Sequence, residues 1–130
     1  MPKSGTANYS VTVGGALAAV TGGNYLLTGN STGTFSADFA ANTVSTSITI
    51  AGTPQPVVSG APVTSFGTYT GTGTVSSNAI TGTLTGTNAT GGFSGAFFGP
   101  QALELGVSYY LNNTGSTPFN AVGGIVGIKQ

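Results

Sequence analysis

Only four side chains in this chain of 130 residues carry a formal charge: Lys3, Asp38, Glu104 and Lys129. Acid–base chemistry would therefore rest on two carboxylates. A glycosidase needs such a pair within about 10 Å of each other. Asp38 and Glu104 fall on the second and seventh predicted strands, and both take the outward phase. The chain has no histidine and no cysteine. A serine nucleophile thus has no imidazole to activate it, and thiolate-held metals and disulfides are excluded. Calcium needs several converging oxygens, and no Asp-rich loop supplies them. Haem iron can take a tyrosine ligand, but Tyr9, Tyr69 and Tyr109 follow the core-facing phase, and Tyr25 and Tyr110 read as packing residues at strand edges. The expectation is a protein without enzymatic activity, with no catalytic residue, no cofactor and no metal site.

The same scarcity of charge bounds the partners. Two lysines and no arginine make no basic patch, so nucleic acid has no electrostatic handle. No apolar run approaches the roughly 20 residues of a membrane helix, so no transmembrane segment is expected. "MPKSG" is followed by polar sequence with no apolar leader core. That leaves a removed leader, a longer parent protein or another export signal.

What must position these residues is a set of strands. In "TANYSVTV", Ala7, Tyr9, Val11 and Val13 alternate with polar residues; "GTFSADF", "TVSTSITI", "TYTGTGTV" and "AITGTLTG" repeat the pattern. A period of two with threonine on the wet phase predicts half-buried antiparallel strands. Eight are expected, near residues 6–13, 33–40, 43–50, 67–75, 79–86, 91–98, 103–111 and 121–129, with 23–29 a ninth strand or an inward-packed loop. Two hairpins are expected to carry three residues each, closed by Asn42 and Asn78 in the left-handed conformation. Glycines inside strands, among them Gly71, Gly73 and Gly82, mark bends of a coiled sheet. The fold class is all-β, a single domain over residues 1–130. Its architecture is a small soluble eight-stranded antiparallel up-and-down barrel with an apolar filled interior, a two-sheet sandwich being the alternative. Closure requires residues 6–13 to pair with 121–129.

The most specific stretch is "GGFSGAFFGPQALELG", followed by the last strand "AVGGIVGIKQ". It resembles the C-terminal barrel signature of bacterial surface lipoproteins of the transferrin-binding protein B type. Phe97, Phe98, Gly99, Pro100, Ala102, Glu104, Leu105 and Gly106 match the family's segment; Val107 stands where a second glycine is usual, and Gln130 replaces a basic end. "GTFSADFAANTVS" is similar to the family's Asp-Phe strand and turn, so the resemblance covers about 31–130. It implies an eight-stranded barrel at a bacterial outer surface or outside the cell. It also implies a non-enzymatic module binding a host or surface protein, or a haem- or iron-related ligand, through its loops. The motif is a structural signature and brings no binding residue with it. Loops 14–32, 51–66 and 112–120 are the candidate binding segments. The alternative function is a structural subunit of an extracellular layer or fibre, self-assembling through its uncharged Thr-rich exterior.

The last hairpin yields a register. With its loop centred near Ser116, opposed residues sum to about 232, which sets Glu104 beside Lys129 as a predicted outer cross-strand pair.

Overall fold

The computed structural model describes residues 4–19, 23–27, 31–55, 64–86, 88–115 and 118–130. Nine strands form one antiparallel sheet: β1 Thr6–Ala19, β2 Gly23–Leu26, β3 Thr32–Asp38, β4 Thr43–Gln55, β5 Thr64–Ser76, β6 Ala79–Gly86, β7 Ala89–Phe98, β8 Glu104–Asn113 and β9 Phe119–Lys129. Each strand from β3 to β9 pairs with the next, and β1 pairs with β9 from Tyr9↔Lys129 to Ala19↔Phe119. The sheet is therefore a closed barrel, and the sandwich is set aside.

Nine strands occupy eight places. The first part of β1 pairs with β3, and its far end pairs with β2; β2 and β3 both pair with β4 on their other side. They descend one after the other along a single stave of the barrel. Ser31, between them, is held by its own hydroxyl, which donates to Ala51 O (2.9 Å) and accepts from Ala51 N (3.0 Å). Strand β1 is longer than its alternation suggested, because "GGALAA" continues the pairing through small residues. A Cβ at Gly15 would lie 2.2 Å from the Val122 carbonyl oxygen, and φ there is +141°, so only glycine permits this close approach of β1 to β9.

The apolar phase faces inward. Val13, Phe35, Ile48, Ile80, Leu84, Phe97, Leu111 and Ile125 are fully buried and fill the barrel. Each such side chain contributes about 1.5–3 kcal/mol through apolar area removed from water. Gly71 and Gly82 leave room for one ring: a Cβ at Gly82 would come within 2.3 Å of Phe93. Thr46, a buried polar residue on an inward phase, donates its hydroxyl to Thr34 O at 2.7 Å.

Both predicted hairpins form, with corrections. Phe39–Asn42 is a four-residue connection, and Asn42 is left-handed (φ 57°). Asp38 Oδ1 accepts the amides of Ala40 (3.0 Å) and Ala41 (3.1 Å), which folds the turn and lets Phe39 enter the core. The second hairpin is closed by Ser76↔Ala79, so it has two residues, and Ser77 (φ 56°) is left-handed instead of Asn78. Asn78 is occupied otherwise: its carbonyl accepts from Phe97 N (2.9 Å) and its amide donates to Phe97 O (3.3 Å).

Candidate binding face at the loop-bearing end

Strand direction sorts the connections onto two ends. One end carries Phe39–Asn42, Ser77–Asn78, Gly99–Leu103 and the last strand's end at Lys129. The other carries the connections through 20–22, 56–63, 87–88 and 114–118. The described strand ends that flank 20–22, 56–63 and 116–117, one stretch from each candidate binding segment, thus lie at the same end. Each segment is shorter than expected, because strands take Gly14–Ala19, Gly23–Leu26, Ala51–Gln55, Thr64–Phe66, Asn112–Asn113 and Phe119–Asn120 from them. Residues 20–22, 28–30, 56–63 and 116–117 lie outside the described residues.

The floor of this end is aromatic. Tyr25 meets Phe66 at 4.9 Å between ring centroids, Phe66 meets Phe119 at 5.6 Å, and Tyr69 meets Phe119 at 6.5 Å, all edge to face. Phe119 and Tyr69 are buried, whereas Tyr25 and Phe66 remain partly open. A β-bulge places Phe66 there. Ile50 faces Gly67, but Ala51 faces Ser65, so Phe66 is the extra residue on its strand. A bulge turns a side chain out of the regular alternation, and here it aims the ring at the rim. Gly67 (φ +104°) supplies the conformation. The sequence analysis did not point to Phe66: the Phe66-Gly67 step in "TSFGTYTG" interrupts the alternation, but the bulge itself follows from the register of β4 against β5. The Tyr69 hydroxyl donates to Phe66 O at 2.5 Å, which ties the bulge to the regular strand. Burial raises the Tyr69 phenol above its ordinary value, and the Asn113 side chain partly offsets that by hydrogen bonding.

The wall of this end is amide-rich and uncharged. Asn24, Ala18, Asn120, Asn112 and Thr90 follow one another across five strands, and all are exposed. Asn113 Oδ1 accepts Gly115 N (2.8 Å), and Asn88 O accepts Thr114 N (2.9 Å), fixing the start of the last turn. Amides offer donors and acceptors without charge, so this face can recognise a polar ligand surface by hydrogen bonds around an aromatic floor.

The family-like signature lies at the opposite end and has a different task. Gly99 (φ 80°), Gln101 (φ 56°) and Ala102 (φ 54°) fold a short 3-10 turn, Pro100–Ala102, across the barrel mouth. Ala102 is fully buried there, and its carbonyl accepts the Tyr9 hydroxyl at 2.6 Å. Burial of Tyr9 pushes its phenol up to about 12. Phe97 packs on Tyr9 (5.6 Å) and Phe39 (5.5 Å), Leu105 is buried, and Phe98, Glu104 and Pro100 are exposed. Gly106 lies between them on the outer phase, with the Phe98 ring 3.4 Å from where a Cβ would sit.

Glu104 and Lys129 are not brought together as a cross-strand pair. The register is the expected one, with Glu104 facing Ile128, a sum of 232. Alternation then puts Lys129 on the opposite phase from Glu104. Lys129 instead straps the plug: its backbone N–H donates to Leu103 O (2.7 Å) and its ammonium to Gln101 O (2.5 Å). Asp38, the other carboxylate, is used in its turn.

A surface depression of about 710 Å³ opens on the outer wall among Thr6, Asn8, Ser36, Ser45, Thr72 and Thr74. Its hydroxyls partly satisfy one another, as in the 2.8 Å contact of Ser36 Oγ with Ser45 Oγ. No group there is left aimed at a ligand by burial.

The family model for the C-lobe and N-lobe beta barrels of Tf-binding protein B matches residues 1–128, extending the likeness back through β1 and β2. Among solved structures, a double mutant of the vaccine antigen Transferrin Binding Protein B from Haemophilus parasuis Hp5 matches all of this chain and 27% of its own, with 22% identity and a TM-score of 0.62. The isotype 1 Transferrin binding protein B from serogroup B Neisseria meningitidis matches 99% of this chain and 26% of its own, with 18% identity and a TM-score of 0.64. At these identities the two structures establish the fold. The chain spans about a quarter of the length of either. No curated protein sequence matches it.

Proposed function

This chain belongs to the family of C-lobe and N-lobe beta barrels of Tf-binding protein B, and from that premise we propose that it is a non-enzymatic binding module of a bacterial outer surface. It engages a protein ligand with the loop-bearing rim. The observation that carries this reading is the asymmetry of the ends. One end is plugged and strapped by its own hydrogen bonds, and the other presents the partly open rings of Tyr25 and Phe66 beside an exposed row of amides. The relatives' names tie them to transferrin, which makes transferrin the first probe.

An uncharged rim has a consequence for binding. Counter-charges contribute little to the encounter, so affinity should change less than about 2-fold between low and high salt, where a charged interface would weaken steeply. The immobilised chain is exposed to transferrin and haemoglobin in turn, across a salt series. Binding that survives Thr72→Ala on the outer wall but is lost when 56–63 is replaced by a Gly-Ser segment supports the reading. Failure of both probes, or binding that ignores the rim replacement, would remove it.

The alternative, a structural subunit that self-assembles, was attached in the sequence to the threonine exterior. One observation favours association of copies, but through a different surface.

A further inference from the structure

The exterior is not uniformly hydroxylated. Among the described residues, seven large apolar side chains are substantially exposed, and six of them are Leu26, Phe98, Tyr110, Val122, Val126 and Ile128. None of the seven lies on β3, β4, β5 or β6. The six gather on one wall because β9 is apolar on both faces. Phe119, Ala121 and Ile125 point into the barrel, while Val122, Val126 and Ile128, each about 60% exposed, point out.

The registers turn these residues into a relief. Ile128 faces Glu104, which faces Phe98, and Val126 adjoins them along β9; this is one ridge, nearest the plugged end. Leu26, Ala16, Val122 and Tyr110 follow one another across β2, β1, β9 and β8 and form a second ridge. Between the ridges runs a row of Gly14, Gly124, Ser108 and Ser94, which has almost no side-chain height. A ridge beside a groove of similar run is self-complementary under a two-fold rotation, since each copy can lay a ridge in its partner's groove.

We propose that this β7–β8–β9–β1 wall is the interface between two copies of the chain. Area supports a second copy as the occupant. Six side chains about half exposed offer on the order of 500 Å² of apolar surface, at the top of what a monomer usually leaves open. With the flanking rows of β1 and β7 the wall approaches the roughly 800 Å² per partner that a stable interface buries. Charge permits it. Glu104 is the one carboxylate on the wall among the described residues; it lies within the first ridge, between Ile128 and Phe98, at the end of the wall next to the plug, and in a ridge-in-groove contact it meets the partner copy's row of serines, whose hydroxyls can donate to it. The net charge of zero leaves no repulsion between copies. Among the described residues the closed barrel offers no free strand edge, so contact is face to face. The amide row stays outside such a dimer, because Asn24, Asn120 and Asn112 bound the wall on that side.

Sedimentation velocity of the full chain from 1 to 200 µM tests this directly. A monomer–dimer equilibrium is expected in the micromolar range. Val126→Asp and Val122→Asp, made singly at exposed positions, should each raise the dissociation constant at least 100-fold, while Thr72→Asp on the hydroxylated wall leaves it within 2-fold. Far-ultraviolet circular dichroism confirms that each variant keeps the barrel. A chain that stays monomeric at 200 µM would overturn the proposal and leave the wall to another partner. So would a dimer that survives both aspartates, or one that Thr72→Asp disrupts equally. Vesicles of neutral phosphatidylcholine form a further arm. Co-flotation of the wild type that Val126→Asp abolishes, without dimerisation in solution, would assign the wall to lipid and sink the second copy.

Discussion

The two ends of the barrel are built from the same strands and solve opposite problems. At the plugged end, Gly99, Gln101 and Ala102 adopt left-handed conformations that are costly for the last two. Neighbours hold them there: Tyr9 bonds Ala102 O, Lys129 bonds Gln101 O and Leu103 O, and Phe97 fills the space beneath. At the rim, one bulge turns Phe66 over Phe119, and neutral amides stand around it. Specificity of fold and specificity of binding are thus kept at opposite ends. The family signature is spent on closing the barrel, which leaves the other mouth free to vary its connections without loss of the core.

Truncating a ring at each end should separate the two roles most strongly. Phe97→Ala removes a fully packed ring and should cost about 3–5 kcal/mol, read by urea unfolding. Phe66→Ala, at a partly open site, should cost about 1–2 kcal/mol, less than a full core truncation, while weakening ligand binding at the rim. Equal costs at both positions would erase the distinction between a structural end and a binding end.

A milder contrast uses hydroxyls. Tyr9→Phe leaves the Ala102 carbonyl buried without its donor and should cost about 1–3 kcal/mol. Tyr69→Phe frees a bond near the open rim, where water can replace it, and should cost under about 1 kcal/mol. Thermal unfolding at matched pH distinguishes the two.

Tyr9 and Tyr109, two buried tyrosines, set the alkaline limit. Burial pushes the phenols of Tyr9 and Tyr109 up to about 12, against 10.0 in the open chain. The folded state therefore holds these protons more tightly than the unfolded one. Their contribution is complete below pH 10 and is lost as pH rises from 10 towards 12. The melting temperature should fall across that window, and Tyr9→Phe should flatten the fall. A melting temperature unchanged to pH 11.5 would contradict the burial of these groups.

A small effect is also expected at the turn that seats Phe39 beside the plug. Asp38→Ala removes two hydrogen bonds to backbone amides at an exposed position and should cost about 0.5–1.5 kcal/mol. Amide exchange should quicken at Ala40 and Ala41 and stay unchanged at Asn113; faster exchange at both ends would contradict their independence.

Much of this was legible in the order of residues, because alternation is a local rule. The inward phase of Tyr9, Phe35, Ile48 and Leu84, the barrel closure and the register of the last hairpin all follow from a period of two and from short turns. The family signature was legible as well, as a string of unusual residues. Three things were decided only by the tertiary structure. A bulge at Phe66 depends on how β4 and β5 share register, which no single strand encodes. The place of β2 above β3 depends on β1 being long enough to pair with both. The outward face of β9 reads in sequence as "AVGGIVGIK", an apolar run with no wet phase, and alternation cannot say what its second face meets. Lys129 shows the same limit at one residue: its distance from Glu104 along the hairpin was right, but side chains in a strand change face at every step. Only the folded plug, arriving from Gly99–Leu103, supplied the carbonyl that Lys129 binds.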